Sequence, residues 1–210
     1  MEHPSDKLTF AGLAIVLSVW VVGAHATAQG DATTIKVNGG SVSFEVSTNI
    51  FSTTVRGQSS AITGATRLLD NGSGLRLEQL EAIVPVGSLK TGIKIRDEHM
   101  RKYIFEAADG QVPDVRFSAD TAECPQSASG VYACSASGAL VIRGTSRPFA
   151  IELKVMRTGE AFHVTGDGKV LLSAYGIERP SQFGVRTEDE VKIHLDVNAR
   201  NIATATARVR

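Results

Sequence analysis

The feature that most constrains this chain is an alternation of apolar and polar residues with a period of two. In the first example, Val42, Phe44 and Val46 alternate with polar neighbours. A period of two is the spacing at which one face of a β-strand is buried and the other is solvated. The same pattern recurs in three further segments: residues 115–120, 149–155 and 191–198. All four segments are therefore predicted to be half-buried strands.

Weaker alternation predicts additional strands between these segments. They lie near residues 51–57, 61–69, 75–84, 137–143 and 161–173. Clusters of glycine, proline and polar residues that are typical of turns lie at residues 70–74, 143–148 and 166–168. Strands with one apolar face must pair as two sheets or close on themselves, and a closed antiparallel barrel leaves no exposed edge. The sequence thus predicts an all-β fold and favours a closed barrel.

The N-terminal segment is of a different kind. Residues 8–22, a run of fifteen residues without a charge, are followed by small-residue sites that predict cleavage after Ala26 or Ala28. This pattern is typical of a secretory signal peptide, here at residues 1–28. A permanent anchor is the alternative, because the first residues also include acids, but a membrane span needs about 20 apolar residues. Residues 29–210 have the size of a single domain with its own core.

The charge of residues 29–210 is nearly balanced, with 21 basic and 20 acidic residues. Domains that bind nucleic acid or dock on anionic membranes through a general basic excess have a different composition. The composition therefore indicates neither nucleic acid nor an anionic membrane as a partner.

Both cysteines of the chain, Cys124 and Cys134, lie in the part that is predicted to be exported. They flank a stretch with the proline, serine and glycine of a turn. In an oxidising compartment, a disulfide across this connection would stabilise the fold by about 2–3 kcal/mol. Two free thiols are the alternative. No metal site is predicted, because a third cysteine is absent and His99, His163 and His194 are scattered singly.

From Ile95 to Phe105 the period changes from two to that of a helix. Met100, Tyr103 and Ile104 share one face of this predicted helix. The segment is therefore predicted to be one short amphipathic helix.

The charges of this helix are expected on its solvated outer face. Asp97 with Arg101 and Glu98 with Lys102 have the i,i+4 spacing of acid-to-base pairs. His99 is flanked by acids and could titrate or bind a ligand, but a single histidine on a helix is more often a hydrogen-bonded structural residue. The helix is therefore interpreted as structural.

Motifs of catalytic sites are incomplete or absent in the sequence. Lys90, Thr91 and Gly92 match the Lys-Thr-Gly element of serine β-lactamases, but no Ser-x-x-Lys or Ser-Asp-Asn element accompanies them after residue 28. No Gly-x-Ser-x-Gly, phosphate-binding glycine loop, His-Glu-x-x-His or Cys-x-x-Cys motif occurs. The consecutive acids at residues 188–190 are typical of a solvated strand end. The chain is thus not predicted to be an enzyme.

Three ordered blocks of the sequence resemble one protein family. The central block is an Arg-Asp-x-His-Met helix followed by a Pro-x-x-x-Phe strand, formed by Arg96, Asp97, His99, Met100, Pro113 and Phe117. This block is similar to the central signature of the YceI-like proteins. Residues 138–155 resemble the family's strand, Gly-Thr turn, Arg-Pro and strand sequence, and residues 183–200 resemble its terminal strand. The resemblance extends from Thr34 to Arg200.

The resemblance implies a lipocalin-like fold, an extended eight-stranded antiparallel barrel with one short helix near residues 96–105. It implies an exported protein, periplasmic or secreted, that sequesters or carries a polyisoprenoid of quinone or prenyl-phosphate type in the lumen. Such an isoprenoid lipid is the only bound group that the resemblance implies, and it names no protein partner. Residues 49–68 lack the aromatic-rich hairpin of many members, a departure that bears on the ligand more than on the fold.

The inward positions of the predicted strands give the candidate lumen residues. They are Val42, Phe44, Phe117, Leu140, Ile142, Ile151, Leu153, Phe162, Val164, Ile193 and Leu195. An eight-stranded barrel has an interior that side chains either fill or leave just wide enough for one small ligand. The same residues at the same spacing would also build a packed core. In that alternative the barrel would act through its outer surface, as a protein-interaction or stress-response module without a lipid.

Overall fold

The structure, a computed structural model, describes residues 32–50, 53–182 and 184–202. The predicted signal peptide and its cleavage sites lie outside these residues. The described chain forms ten β-strands: β1 (Thr33–Thr48), β2 (Thr54–Ser59), β3 (Thr63–Asp70), β4 (Gly74–Val84), β5 (Val115–Ala128), β6 (Val131–Ile142), β7 (Thr145–Thr158), β8 (Ala161–Leu171), β9 (Ser181–Gln182) and β10 (Val185–Asn201). Its helical elements are α1 (Lys94–Met100), a π-helix that continues α1 (Arg101–Phe105), and two 3₁₀ helices (Val86–Ser88 and Leu172–Tyr175).

The strands form one antiparallel barrel, which is closed by pairing between the first long strand and the last. β1 pairs with β10 along nearly its full length, from Ile35 opposite Asn201 to Thr48 opposite Thr187. β2 and β3 both pair with the other edge of β1 in one continuous register, so they are two parts of a single barrel strand. β9 is a two-residue strand that pairs only with the start of β10. The predicted eight-stranded antiparallel barrel with one short helix is therefore confirmed.

The two ends of the barrel differ. At the first, called the disulfide end, Cys124 of β5 is bonded to Cys134 of β6. The predicted bridge is thus confirmed, and the alternative of two free thiols is wrong. Both strands continue beyond the cysteines, so the turn is confined to residues 129–130 and is shorter than expected. At the second, called the helix end, α1 and the π-helix pack against the opposite ends of the strands.

Bulges change which residues of a strand face the interior. In β4, Leu75 and Leu77 are buried, but the next inward residue is Leu80, because Gln79 adopts a left-handed conformation with φ of 53° and shifts the register against β3. β1 has a similar register shift against β10 at residues 37–39. A single period-two pattern therefore does not extend along the whole of either strand.

The turn predicted at residues 166–168 is wrong, because these residues lie within β8. Gly166 and Gly168 occupy inward positions beside the large side chains of β7. A Cβ on Gly168 would lie 2.6 Å from Cζ of Phe149, and one on Gly166 would lie 2.8 Å from Cδ2 of Leu153. The glycines therefore make room for a neighbouring strand's side chains and do not turn the chain.

A buried carboxylate fixes the start of α1. Asp97 is 5% exposed, and its Oδ1 accepts hydrogen bonds from the backbone N (2.7 Å) and Oγ1 (2.5 Å) of Thr91. Arg96 donates from Nε to Oγ1 of Thr91 and from its terminal nitrogen to the Thr91 backbone O, at 2.9 and 2.7 Å. Burial alone would raise the pKa of Asp97, but the Thr91 hydrogen bonds and the charges of Lys90 and Arg101 outweigh it and lower the pKa. The carboxylate is thus held in its charged form.

The ion pairs predicted along the helix do not form. In the described part of the chain, neither Asp97 with Arg101 nor Glu98 with Lys102 makes a salt bridge. The expectation that Asp97 lies on the solvated face is also wrong. The physical reason is that Thr91 offers a backbone N–H and a hydroxyl outside the sheet, and the Asp97 carboxylate accepts from both.

We expect Asp97→Ala to lower the free energy of unfolding by about 0.5–2 kcal/mol, because it removes both hydrogen bonds that hold the start of α1. Urea denaturation at neutral pH measures this loss. Glu98→Ala is the matched control, since Glu98 is an exposed acid on the same helix, and its effect should stay within about 0.5 kcal/mol.

The loss of unfolding free energy caused by Asp97→Ala should also depend on pH. Because folding lowers the pKa of Asp97 below 3.8, the carboxylate stabilises the fold above that value, and this contribution disappears as pH falls through the folded-state pKa. The difference in stability between the wild type and Asp97→Ala should therefore narrow in acid. Equal losses of unfolding free energy for Asp97→Ala and Glu98→Ala would contradict the stabilising role of the Asp97 carboxylate. A difference between the wild type and Asp97→Ala that stays constant in acid would contradict it as well.

Candidate ligand-binding cavity

The barrel encloses a cavity of about 330 Å³. Its wall extends from the buried cluster at the disulfide end to the cluster at the helix end. This volume lies in the range of roughly 300–1,000 Å³ that is typical of small-molecule sites. Side chains therefore leave space in the lumen, which favours a ligand-holding barrel over the alternative of a packed core.

All eleven candidate lumen residues lie on the wall of this cavity. They are Val42, Phe44, Phe117, Leu140, Ile142, Ile151, Leu153, Phe162, Val164, Ile193 and Leu195. They come from six strands around the barrel, from β1 to β10, which explains why they converge although they are far apart in sequence. Their contact with a ligand stays a prediction.

The sequence prediction missed a second group of wall residues. Some continue the alternation of recognised strands: Val46, Val115, Phe149, Val155, Val191 and Val197. The same rule applied to the full length of each strand would have found these. Others, such as Ile35, Leu77 and Leu80, belong to stretches that bulges interrupt, so no single period identifies them.

The helix contributes one side of the cavity wall. Met100, Ile104 and Phe105 line the cavity at the helix end, together with Leu89 of the preceding loop. The apolar face predicted for the helix was the sequence signal that could have identified Met100 and Ile104 as wall residues. In the described residues, no helix has the length and apolar character that a membrane span requires.

The signature residues divide between two roles. Arg96 and Asp97 bind Thr91 outside the lumen, whereas Met100 lies on the cavity wall. The ring of His99 makes an edge contact with the ring of Tyr103, with centroids 5.6 Å apart. Pro113 is half-buried just before β5. The signature therefore positions the helix and supplies one wall residue.

The cavity wall is almost wholly apolar. Its polar members are Ser43, Thr66, Glu81 and Thr187, and Glu81 is exposed. Thr187 differs from the others, because its Oγ1 is buried without a hydrogen-bond partner among the described residues. Among the described residues, no histidine, cysteine, lysine, arginine or aspartate lines the wall. Burial of apolar surface is therefore the main interaction that this cavity offers.

The other candidate catalytic groups serve the structure. The backbone of Lys90 pairs with Gln58 through two hydrogen bonds of 2.9 Å, which places the Lys-Thr-Gly element beside β2. Asp189 accepts hydrogen bonds from Oγ and the backbone N of Ser173, which lower its pKa. Glu190 forms a salt bridge of 3.0 Å with Lys169. In the described chain, no cluster of histidine, cysteine and acidic residues could hold a metal ion.

Solved structures of three bacterial proteins share this fold. The polyisoprenoid binding domain from Saccharophagus degradans is 14% identical, with a TM-score of 0.58, over 81% of this chain and 99% of that one. BcnA from Burkholderia cenocepacia is 15% identical, with a TM-score of 0.55, over 75% of this chain and 95% of that one. The YCEI protein of Campylobacter jejuni is 16% identical, with a TM-score of 0.55, over 71% of this chain and 85% of that one. No curated protein matches the sequence at a significant level.

The match to a sequence family covers most of the chain. The YceI-like domain matches residues 33–199, a range that includes the helix, the disulfide and nearly all of the closed barrel. The quoted signature from Arg96 to Phe117 lies within this range and accounts for the helix and the strand that follows it. This protein belongs to the YceI-like domain family.

Proposed function

We propose that this protein is exported and binds a polyisoprenoid lipid of quinone or prenyl-phosphate type in its lumen, where it sequesters or carries the lipid. The observation that carries the proposal is the unfilled, almost wholly apolar cavity of about 330 Å³. Membership of the YceI-like domain family and the fold shared with a polyisoprenoid binding domain support it. The protein is a binding protein and not an enzyme in this proposal, since the wall residues that the structure describes bring together no acid, base or nucleophile pair.

A slender hydrocarbon tail suits this wall. Each buried CH₂-sized group contributes about 0.8 kcal/mol, so one isoprene unit of five carbons contributes about 4 kcal/mol. Micromolar affinity needs about 8 kcal/mol net of the cost of immobilising the ligand. A few isoprene units therefore support binding without a charged contact.

Leu153→Trp tests whether the lumen holds the lipid. Leu153 lines the cavity, so an indole there should occupy ligand space and lower the affinity for a polyprenol by about tenfold or more. Lys154→Trp is the matched control, because the neighbouring residue is exposed on the outer face of the same strand. Native mass spectrometry of both variants with a polyprenol measures the difference.

Protein stability separates a blocked lumen from a damaged fold. The lipid-free Leu153→Trp variant should unfold at nearly the wild-type urea concentration, because the cavity can accept the ring, whereas overpacking a filled core costs about 1–3 kcal/mol. If this variant unfolds readily, Leu195→Trp tests a second position of the wall, two strands away on β10. Lipid binding by both lumen variants with wild-type affinity would refute the proposal.

Thr187 is the residue that we assign to the polar head of the ligand. Its unpartnered Oγ1 borders the cavity near the start of β10, at the helix end. A hydroxyl in this position can donate to a quinone or phosphate oxygen, which would satisfy it without water. The tail would then extend towards the disulfide end.

We expect Thr187→Val to weaken binding of a polyprenol or an isoprenoid quinone by about threefold to tenfold, the worth of one hydrogen bond. Squalene has isoprene units but no polar head, so its affinity should not change. Competition titrations with the three ligands measure the difference. An equal loss for squalene would indicate a change in packing and would reject the assigned role.

Export is the second part of the proposal. The disulfide is of the kind that persists in oxidising compartments, and residues 8–22 have the apolar run of a signal peptide. The location in this proposal is the periplasm or the outside of the cell.

Intact mass spectrometry of the protein from its host tests export directly. We expect cleavage after Ala26 or Ala28, together with the two-hydrogen mass loss of the Cys124–Cys134 bridge. A chain that keeps residues 1–28 in the membrane fraction would favour the anchor. Recovery of a reduced, full-length chain from the cytoplasm would reject export.

A further inference from the structure

Exposed large hydrophobic side chains are concentrated at one end of the barrel. Eight such side chains occur in the described residues, and two of them, Met156 and Ile202, belong to the disulfide end. The other six lie at the helix end: Ile50, Ile93, Ile95, Tyr103, Val112 and Leu171. Scattered exposed hydrophobics are normal on a protein surface, whereas a concentration at one place marks an interaction site.

The exposed side of the helix, with Ile93 just before α1, contributes three of these six side chains. Ile93, Ile95 and Tyr103 are 50%, 61% and 59% exposed. We call these three residues, with Lys94 and Lys102, the docking face. The opposite side of the same helix lines the cavity through Met100 and Ile104. A helix with one buried face should be polar on the other, so the exposed Ile95 and Tyr103 among the charged residues of this side are consistent with an interaction site.

The charges on this face favour an anionic partner. Lys94 and Lys102 are exposed there, and Lys102 Nζ lies 5.6 Å from the centroid of the Tyr103 ring. Glu98 is an exposed acid on the same side, so two lysines and one glutamate leave a formal net charge of +1, whereas Asp97 is buried and hydrogen-bonded to Thr91. The balanced charge of the whole chain thus conceals a local arrangement of lysines beside apolar side chains.

We propose that the docking face binds the surface of an anionic lipid bilayer. Ile93 and Ile95 enter the boundary between headgroups and acyl chains, Tyr103 lies at the headgroup level, and the two lysines contact lipid phosphates. The apolar area is small, so binding is weak and reversible. Docking brings the helix end of the cavity to the membrane, but it depends on the outer face alone and is independent of what fills the lumen.

A nitroxide label on Glu98→Cys reports the depth of the exposed side of the helix, and the same label on Ile93→Cys, which keeps the Glu98 carboxylate, should report a similar depth. The vesicles contain phosphatidylethanolamine and phosphatidylglycerol and no isoprenoid. We expect oxygen and nickel-chelate accessibility to place the residue 98 label below the lipid phosphates. Met156→Cys carries the control label at the opposite end and should remain in water. The accessibility of each label reports only the depth of its own site. Vesicle binding through residues 1–31 would therefore not by itself place the residue 98 label below the phosphates.

Variants of the docking face on the Glu98→Cys background identify the contacts. Ile95→Asn with Tyr103→Ser should lower the ratio of inserted to aqueous label about tenfold or more on all vesicles. Lys94→Ala and Lys102→Ala should each lower it about fivefold on anionic vesicles, with no effect on phosphatidylcholine. Urea denaturation of each variant checks that the fold is retained.

Three results would overturn the proposal. The first is a label at residue 98 that stays in water on anionic vesicles. The second is insertion of the residue 98 and residue 156 labels together, which indicates unfolding or unspecific adsorption. The third is a dimer in solution that Ile95→Asn dissociates while the residue 98 label remains aqueous, which assigns the face to a second copy of the chain.

Discussion

Closure of the barrel by the β1–β10 pairing is the constraint on which the rest of this structure depends. It satisfies the backbone hydrogen bonds of the two strands that would otherwise be exposed edges. Since the strands are held around the circumference by this ladder, their inward side chains do not have to fill the interior. A cavity of about 330 Å³ with an apolar wall is the result. The unfilled lumen and the stability of the sheet are therefore compatible.

The two ends of the closed barrel are stabilised by different interactions. The disulfide end is cross-linked between neighbouring strands and packs around residues as small as Ala136. The helix end is covered by a separate segment, which the Asp97 carboxylate attaches to Thr91 through two hydrogen bonds. Polar contacts and the apolar packing of Met100, Ile104 and Phe105 hold this cover, whereas a covalent bond cross-links the other end. In the function proposed above, this asymmetry favours the helix end for exchange of the lipid.

The candidate site could be predicted in part because periodicity is a local property. Ile151 and Leu153 lie on the wall as their alternation predicts, since β7 has no bulge in this stretch. Leu80 could not be placed in this way, because the left-handed Gln79 reverses the inward set of β4. Gly168 was assigned to a turn, because a glycine that makes room for Phe149 and a glycine that turns the chain look alike in sequence.

The sequence by itself determined most of the strands and the helix, and it limited any intramolecular disulfide to Cys124 with Cys134, because these follow from local spacing and from the presence of only two thiols. Only the tertiary structure decided that the lumen is unfilled, that Asp97 is buried against Thr91 and that Ile95 remains exposed. These properties depend on atoms from distant segments. Gly138 of β6 shows the same dependence, since a Cβ there would overlap the Ser118 carbonyl oxygen of the neighbouring strand β5. The spacing of residues along one segment contains no information about the close approach of a neighbouring strand. That approach arises only when the strands pair in the closed barrel.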